Sequence, residues 1–312
     1  GAFSASFGNP LIWEVNMNTD MRYLQGSVVV FLVLIVTFSG SLTGVSAETE
    51  ESLDLYVAPE TEYIPVGELI SYLLETKLGF EVNQMIQYSD VGLRKVASGQ
   101  GDLFLGLELP PRRGGSWPYS SYDLCDLGPV FEDVVVGWGV PSYVPAEKLG
   151  TVEDLKKEET KNRLHREIII LEERETLLEA SEKILGGDEA LEKYKMVQLG
   201  ESVANSEFGR AVRNEEWVVM TLKRPGLPYS LHDVRFIKEL TEEQSLHLFA
   251  RNDLMARFPS DVTQFLSRFY LPVSLANELI SSKDKDQKGV GRRFSESHPE
   301  LVHYWIEGVD SL

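Results

Sequence analysis

An α/β fold of two lobes is what the sequence predicts, and two observations carry it. Short apolar strands alternate with helix-spaced segments from about residue 53 to 107, and the same alternation restarts after residue 145. Strand, helix, strand, helix, strand is the signature of a parallel sheet covered on both faces, and two such sets in series read as two lobes rather than as a solenoid.

The elements follow in order. "LDLYVA" (53 to 58) is a buried strand, and Ile64, Leu69, Ile70, Leu73, Leu74 and Leu78 recur at helical spacing until Gly79 stops the helix. "FEVNQMI" (80 to 86) is the second strand, and Ser89 as N-cap opens a helix that ends at Gly99. "DLFLGL" is the third strand, and Glu108 stands on the loop that follows it. The second set has "EIIIL" (167 to 171), a helix over 175 to 185, "MVQL" (196 to 199), a helix over 201 to 213, and "WVVMTL" (217 to 222). From about residue 246 the chain is expected to be helical to its end, with Pro259 in the first turn of one helix.

Ahead of these elements, Met21 and Arg22 lead into the apolar run "VVVFLVLIVTF" (28 to 38) and then into "GVSA", the three-part layout of a secretory signal peptide. The expectation is a leader over residues 1 to 20, a signal segment over 21 to 47, and an exported monomer beginning near Glu48. The run is about half of the ~20 residues a membrane-crossing helix needs, and a retained anchor is the alternative.

Composition limits the function classes. A formal net charge of -19 with no basic stripe argues against nucleic acid. Cys125 is the only cysteine, so no intrachain disulfide can form; flanked by acids, it reads as a small core residue rather than a nucleophile. No G-x-S-x-G, G-x-x-x-x-G-K or H-E-x-x-H motif is present, and His298 and His303 are spaced off a single helix face, so neither catalysis, a metal site nor a cofactor is predicted.

In such sheets, ligands bind at the loops beyond the carboxyl ends of the strands. Glu108 is at one of these ends, in "LELPP", and Lys223 with Arg224 is at another, in "TLKRPG". Two readings of Glu108 stand side by side: a strand end facing water, or half of a clamp in which the nitrogen of a zwitterion lies near Glu108 and its carboxylate near Lys223 or Arg224.

The stretches "VGLRKVASGQGDLFLGLELP", "VVVGWGVPSYVPAEKLGTVEDLKK", "YSLHDVRFIKEL" and the closing pair "ARFPSDVTQFLSRFYLP" and "HPELVHYWIEGV" resemble, in order and spacing, the substrate-binding proteins of ABC importers for glycine betaine, choline and proline betaine. The resemblance implies a periplasmic-binding-protein fold of type II-like architecture. Lobe one would take residues 52 to 139 and the helical tail 246 to 312, and lobe two residues 140 to 245. It also implies a small zwitterionic or quaternary-amine ligand, and an ABC permease with its ATPase as partners. The alternative is a sensor or scaffold that keeps the body and has lost transport.

Proteins of that family hold a trimethylated nitrogen in a cage of aromatic rings, because such a nitrogen has no N–H to donate and a ring face attracts it without needing one. This sequence departs from the pattern. One cage aromatic falls at Glu108, another near Lys223, and the small turn after lobe two's first strand is "EERET" (172 to 176), where Arg174 and Thr176 would offset the glutamates. Aromatic replacements are sought among Tyr63, Trp117, Tyr119, Tyr122, Trp138, Trp217 and Tyr229, with Trp117 the preferred contact and core packing the competing role for each.

Overall fold

The structure, a computed structural model, describes residues 52–111, 123–171, 175–282 and 289–308, the side chains of Glu175 and Thr176 excepted. The expected leader and signal segment lie outside the described residues.

Strand β1 (Ser52–Val57) lies between β2 (Glu81–Ile86) and β3 (Leu103–Leu109), parallel to both. On its other edge β3 pairs antiparallel with β9 (Gln244–Arg251), which in turn pairs antiparallel with the first part of β4 (Leu124–Pro141). From Val135 onward β4 leaves that sheet and pairs antiparallel with β7 (Met220–Arg224) and β8 (Val234–Glu239). The second sheet continues through β5 (Glu167–Leu171) to β6 (Lys195–Leu199), both parallel to β7 in direction. One 18-residue strand is therefore shared by two sheets.

Apolar periodicity explains most of this. Helix α1 (Tyr63–Lys77) buries Val66, Leu69, Ile70, Leu73 and Leu74 against the first sheet, and Gly79, at φ +78°, turns the chain back in the left-handed conformation that glycine adopts without a Cβ penalty. Helix α2 (Ser89–Ala97) follows β2, and after the 3-10 turn Val152–Lys156 come α3 (Glu158–Arg163), α4 (Glu175–Leu185), α5 (Glu201–Arg213) and α6 (Leu227–Leu231). The C-terminal helices are α7 (Leu254–Arg257), α8 (Ser260–Arg268), α9 (Val273–Ser282), α10 (Val290–Ser297) and α11 (Pro299–Glu307). One buried core draws its residues from 53–134 and 246–305, and the buried clusters of the second sheet from 138–237.

Several sequence expectations are corrected. Residues 244 to 251 are strand, not the start of the helical tail: Gln244, Leu246 and Leu248 are buried while Ser245 and His247 between them are not, the period of two that a strand imposes. Glu108 lies within β3, opposite Leu246, and not on the loop beyond it. Ser89 is the first residue of α2 rather than its cap, and its hydroxyl donates to the Gly106 carbonyl (3.1 Å). Pro259 is the N-cap of α8 rather than a first-turn residue. Cys125 is half-buried on β4, packed against the first core.

The turn in "TVEDLKK" shows how a short motif is fixed electrostatically. Asp154 Oδ2 accepts from the Gly150 and Thr151 backbone N–H groups (both 2.9 Å), while Lys157 sits 2.7 Å from Oδ1. The Lys157 hydrogen bond, with those N–H groups, lowers the Asp154 carboxyl from its ordinary 3.8 to about 2. A depressed carboxyl stabilises the fold above its unfolded pKa and loses that contribution as pH falls through the folded one. Asp154→Asn, which keeps an acceptor and loses the charge, should therefore cost about 0.5–1.5 kcal/mol at neutral pH, the net worth of one hydrogen bond. Melting curves of variant and wild type should converge as pH is lowered from about 4 towards 2.

Candidate functional site

The carboxyl ends of β1, β3 and β7 converge on one cluster of charged side chains. The chain leaves β1 through Pro59 and Glu60, and Glu62 is the N-cap of α1, with Tyr63 its first residue. Glu108 is the penultimate residue of β3 and Lys223 that of β7. Just before Glu108, β3 carries a bulge at Gly106, where two residues stand against one of β9. Gly106 has φ +151°, and a Cβ there would lie 2.3 Å from the Ala58 Cβ, so glycine alone lets β3 pass β1 at this height.

The Lys223 ammonium is ion-paired to both Glu62 and Glu108. It donates to the Tyr63 hydroxyl (2.8 Å) and lies 4.4 Å from the centre of the Tyr63 ring. The Tyr63 hydroxyl donates in turn to Glu108. The cluster is largely buried: side-chain exposure is 6% for Lys223, 4% for Glu62 and 11% for Glu108. Burial, and after it the charges of Glu108, Glu62 and Glu60, push the Tyr63 phenol well above its ordinary range, so it stays a neutral donor and acceptor. Close by, the Thr61 hydroxyl donates to the carboxylate of Glu201, the first residue of α5. The Lys223 contacts with Glu62 and Tyr63 and the Thr61–Glu201 bond thus join the α1 start, beside the first sheet, to β7 of the second sheet and to α5.

The structure brings Glu108, Lys223 and Tyr63 together, and the reading of Glu108 as a strand end facing water is overturned by its burial. Arg224 is not with them. Strand alternation sends it to the other face, where its guanidinium donates to the Asp133 carbonyl (3.3 Å) and lies over Phe236 (6.0 Å). Tyr229 stacks on the same Phe236 (6.0 Å between ring centres). Trp138 is fully buried in the core of the second sheet, its indole N–H donating to Ser181 (3.1 Å), which is a packing role. Trp217 packs at the edge of that core beneath Arg163 (5.5 Å). Trp117, Tyr119, Tyr122 and Arg174, and the side chain of Thr176, lie outside the described residues.

Sequence reasoning missed Glu62. The rule that singles out Glu108, a carboxylate at the carboxyl end of a parallel strand, also applies to "PETEY" after β1, but there Glu62 is one of two acids flanking a threonine and nothing in the sequence separates it from Glu60.

A second polar chain also emerges from folding. Ser245 and His247 share a face of β9, with Ser245 Oγ 3.0 Å from His247 Nε2 and His247 Nδ1 2.9 Å from Asp126 on β4. Burial raises the Asp126 carboxyl, but the His247 bond and the Gly128 N–H outweigh it and hold it below its ordinary value. A nucleophilic serine needs N–H donors aimed at an oxyanion. Ser245 stands within a strand paired on both edges, opposite Leu109 on β3, so the chain ties β9 to β4.

This is the architecture of a two-lobed solute-binding protein, with a charged site where the ends of strands from two sheets meet. The chain belongs to the family of substrate-binding domains of ABC-type glycine betaine transport systems, whose model matches residues 53–297. Among solved structures it is similar to lactococcal OpuAC in its closed-liganded conformation with glycine betaine, at 19% identity and TM-score 0.65 over 82% of this chain and 100% of that one. It is also similar to the glycine/betaine/L-proline-binding protein ProX of Borrelia burgdorferi (21%, TM-score 0.63, 82% and 96%). A third likeness is to an ABC-transporter choline-binding protein in complex with choline (14%, TM-score 0.64, 84% and 93%). No curated protein matches the sequence.

Proposed function

We propose that this chain is an exported solute-binding protein that closes two lobes on a small quaternary-amine or zwitterionic solute and hands it to an ABC permease driven by its ATPase. The observation that carries the reading is the convergence of Glu62, Tyr63 and Glu108 with Lys223, acids and a ring from one sheet's edge meeting a base from the other's. The separate cores, one drawn from residues 53–134 and 246–305 and the other from 138–237, support a division into lobes at 52–139 with 246–312 and at 140–245. A carboxylate pair and a ring face attract a cation, and strand β4, shared by both sheets, gives a hinge about which they close.

A thermal-shift screen of the purified protein with betaines, choline, ectoine, carnitine and amino acids tests the reading. A ligand that binds only the folded state, at a hundred times its Kd, adds about 2.7 kcal/mol to stability. A quaternary amine or betaine should raise the melting temperature by several degrees; the absence of a shift with every compound would sink the assignment of ligand class.

A further inference from the structure

We propose that Lys223 is a tethered occupant of the cation site: its ammonium sits where the solute's cation is to be held, latches the two sheets' edges together in the solute-free protein, and must be displaced for solute to bind. The inference rests on the ligand class proposed above.

The partners of the Lys223 ammonium all come from the other side of the cluster. Glu62 and Tyr63 belong to the start of α1 and Glu108 to the end of β3, whereas Lys223 is the only member carried by the second sheet. The first sheet's edge therefore carries a complete receptor for a positive nitrogen: a ring face, a hydroxyl and two carboxylates. The Lys223 ammonium fills that receptor, 4.4 Å from the ring centre, a distance at which ring and cation attract.

Lysine suits a displaceable occupant. Its charge is a compact point on a flexible four-carbon stem, with three donors that rotate freely, so it can withdraw as a unit; a guanidinium held by two carboxylates in fixed geometry would not. Buried lysines and glutamates occur almost only as paired groups. The latch accordingly has two stable arrangements: closed with its charges paired, or open with all of them hydrated. A solute cation that takes the receptor releases Lys223, and a solute carboxylate can then meet it.

The consequence has a sign. If the latch competes with solute, the apparent affinity of the wild type is reduced by the fraction of molecules in which the receptor is free. Removing the lysine should strengthen binding of a cation. If Lys223 instead only grips the solute's carboxylate, removing it should weaken zwitterions and leave choline, which has no carboxylate, unchanged.

Lys223→Met keeps the stem and removes the charge, and Glu62→Gln with Glu108→Gln removes the receptor instead. For each protein, checked for fold by circular dichroism, small-angle scattering would be recorded without solute and calorimetry with choline and with glycine betaine. The expected result is a solute-free wild type that is compact, expansion in both variants, and choline bound tenfold or more tighter by Lys223→Met and not at all by the double variant. A solute-free Lys223→Met protein as compact as the wild type, or one that binds choline no more tightly, overturns the latch. If no protein binds any quaternary amine, the ligand class fails, while the scattering comparison still decides whether Lys223 holds the two sides shut.

Discussion

Trp138→Ala is expected to lower the free energy of unfolding by about 3–5 kcal/mol, the range for truncating a fully buried tryptophan. Trp138 sits on the part of β4 that belongs to the second sheet, opposite Thr221 on β7 and Lys238 on β8, and none of its surface is exposed. It belongs to the buried cluster that includes Val140, Ile168, Ile170 and Val219, and its indole N–H donates to Ser181, itself fully buried. Alanine would leave a cavity and an orphaned hydroxyl together. At roughly 2–4 °C per kcal/mol for a chain of this size, the melting temperature should drop by about 10 °C. Trp138→Phe keeps most of the volume and loses only the hydrogen bond, so about 1 kcal/mol is expected. Solute affinity, measured well below the transition, should be unchanged in both. A variant of normal stability that no longer responds to solute would instead put Trp138 in the cleft.

That tryptophan marks where sequence reading stops. An isolated aromatic in "VVVGWGVP" is compatible with a cage or a core, because both environments need a large ring, and only the depth of burial distinguishes them. The parallel strands of both sheets and the helices that follow them were legible because each has an apolar period that one-dimensional reading detects: "EIIIL" as a buried strand, Leu69, Ile70, Leu73 and Leu74 as a helix face. The antiparallel strands β4 and β8 were not among the elements expected, and neither was β9, whose alternation includes Ser245 and His247 and which is followed directly by helical sequence. Its pairing with β3 and β4 spans more than a hundred residues of chain, and local pattern says nothing of partners so far away. At the site, Glu108 and Lys223 stood out because a charge at the end of an apolar strand is anomalous. Glu62 is one of two acids on the short loop after β1, and what distinguishes it is that Lys223, distant in sequence, is brought to it.

The latch changes what a single carboxylate substitution reports. Glu108 binds the Lys223 ammonium and, on the proposed reading, exchanges it for the solute cation when solute is loaded. Glu108→Gln therefore weakens both states, and where the latch dominates the empty protein the two losses largely cancel, so solute affinity should move by less than about fivefold. The same substitution made in a Lys223→Met background no longer affects the Lys223 ammonium. There it should expose its full worth, about 1.5–3 kcal/mol for a hydrogen bond to a charged group, or roughly ten- to 150-fold in Kd, for a solute whose cation carries an N–H, such as dimethylglycine. Calorimetry on wild type, the two single variants and the double variant forms a complete cycle, and its coupling energy isolates the Lys223–Glu108 interaction from everything else either side chain touches. Equal effects of Glu108→Gln in both backgrounds would mean that the two residues act on solute independently, and that Lys223 does not occupy the place where the solute's cation is held.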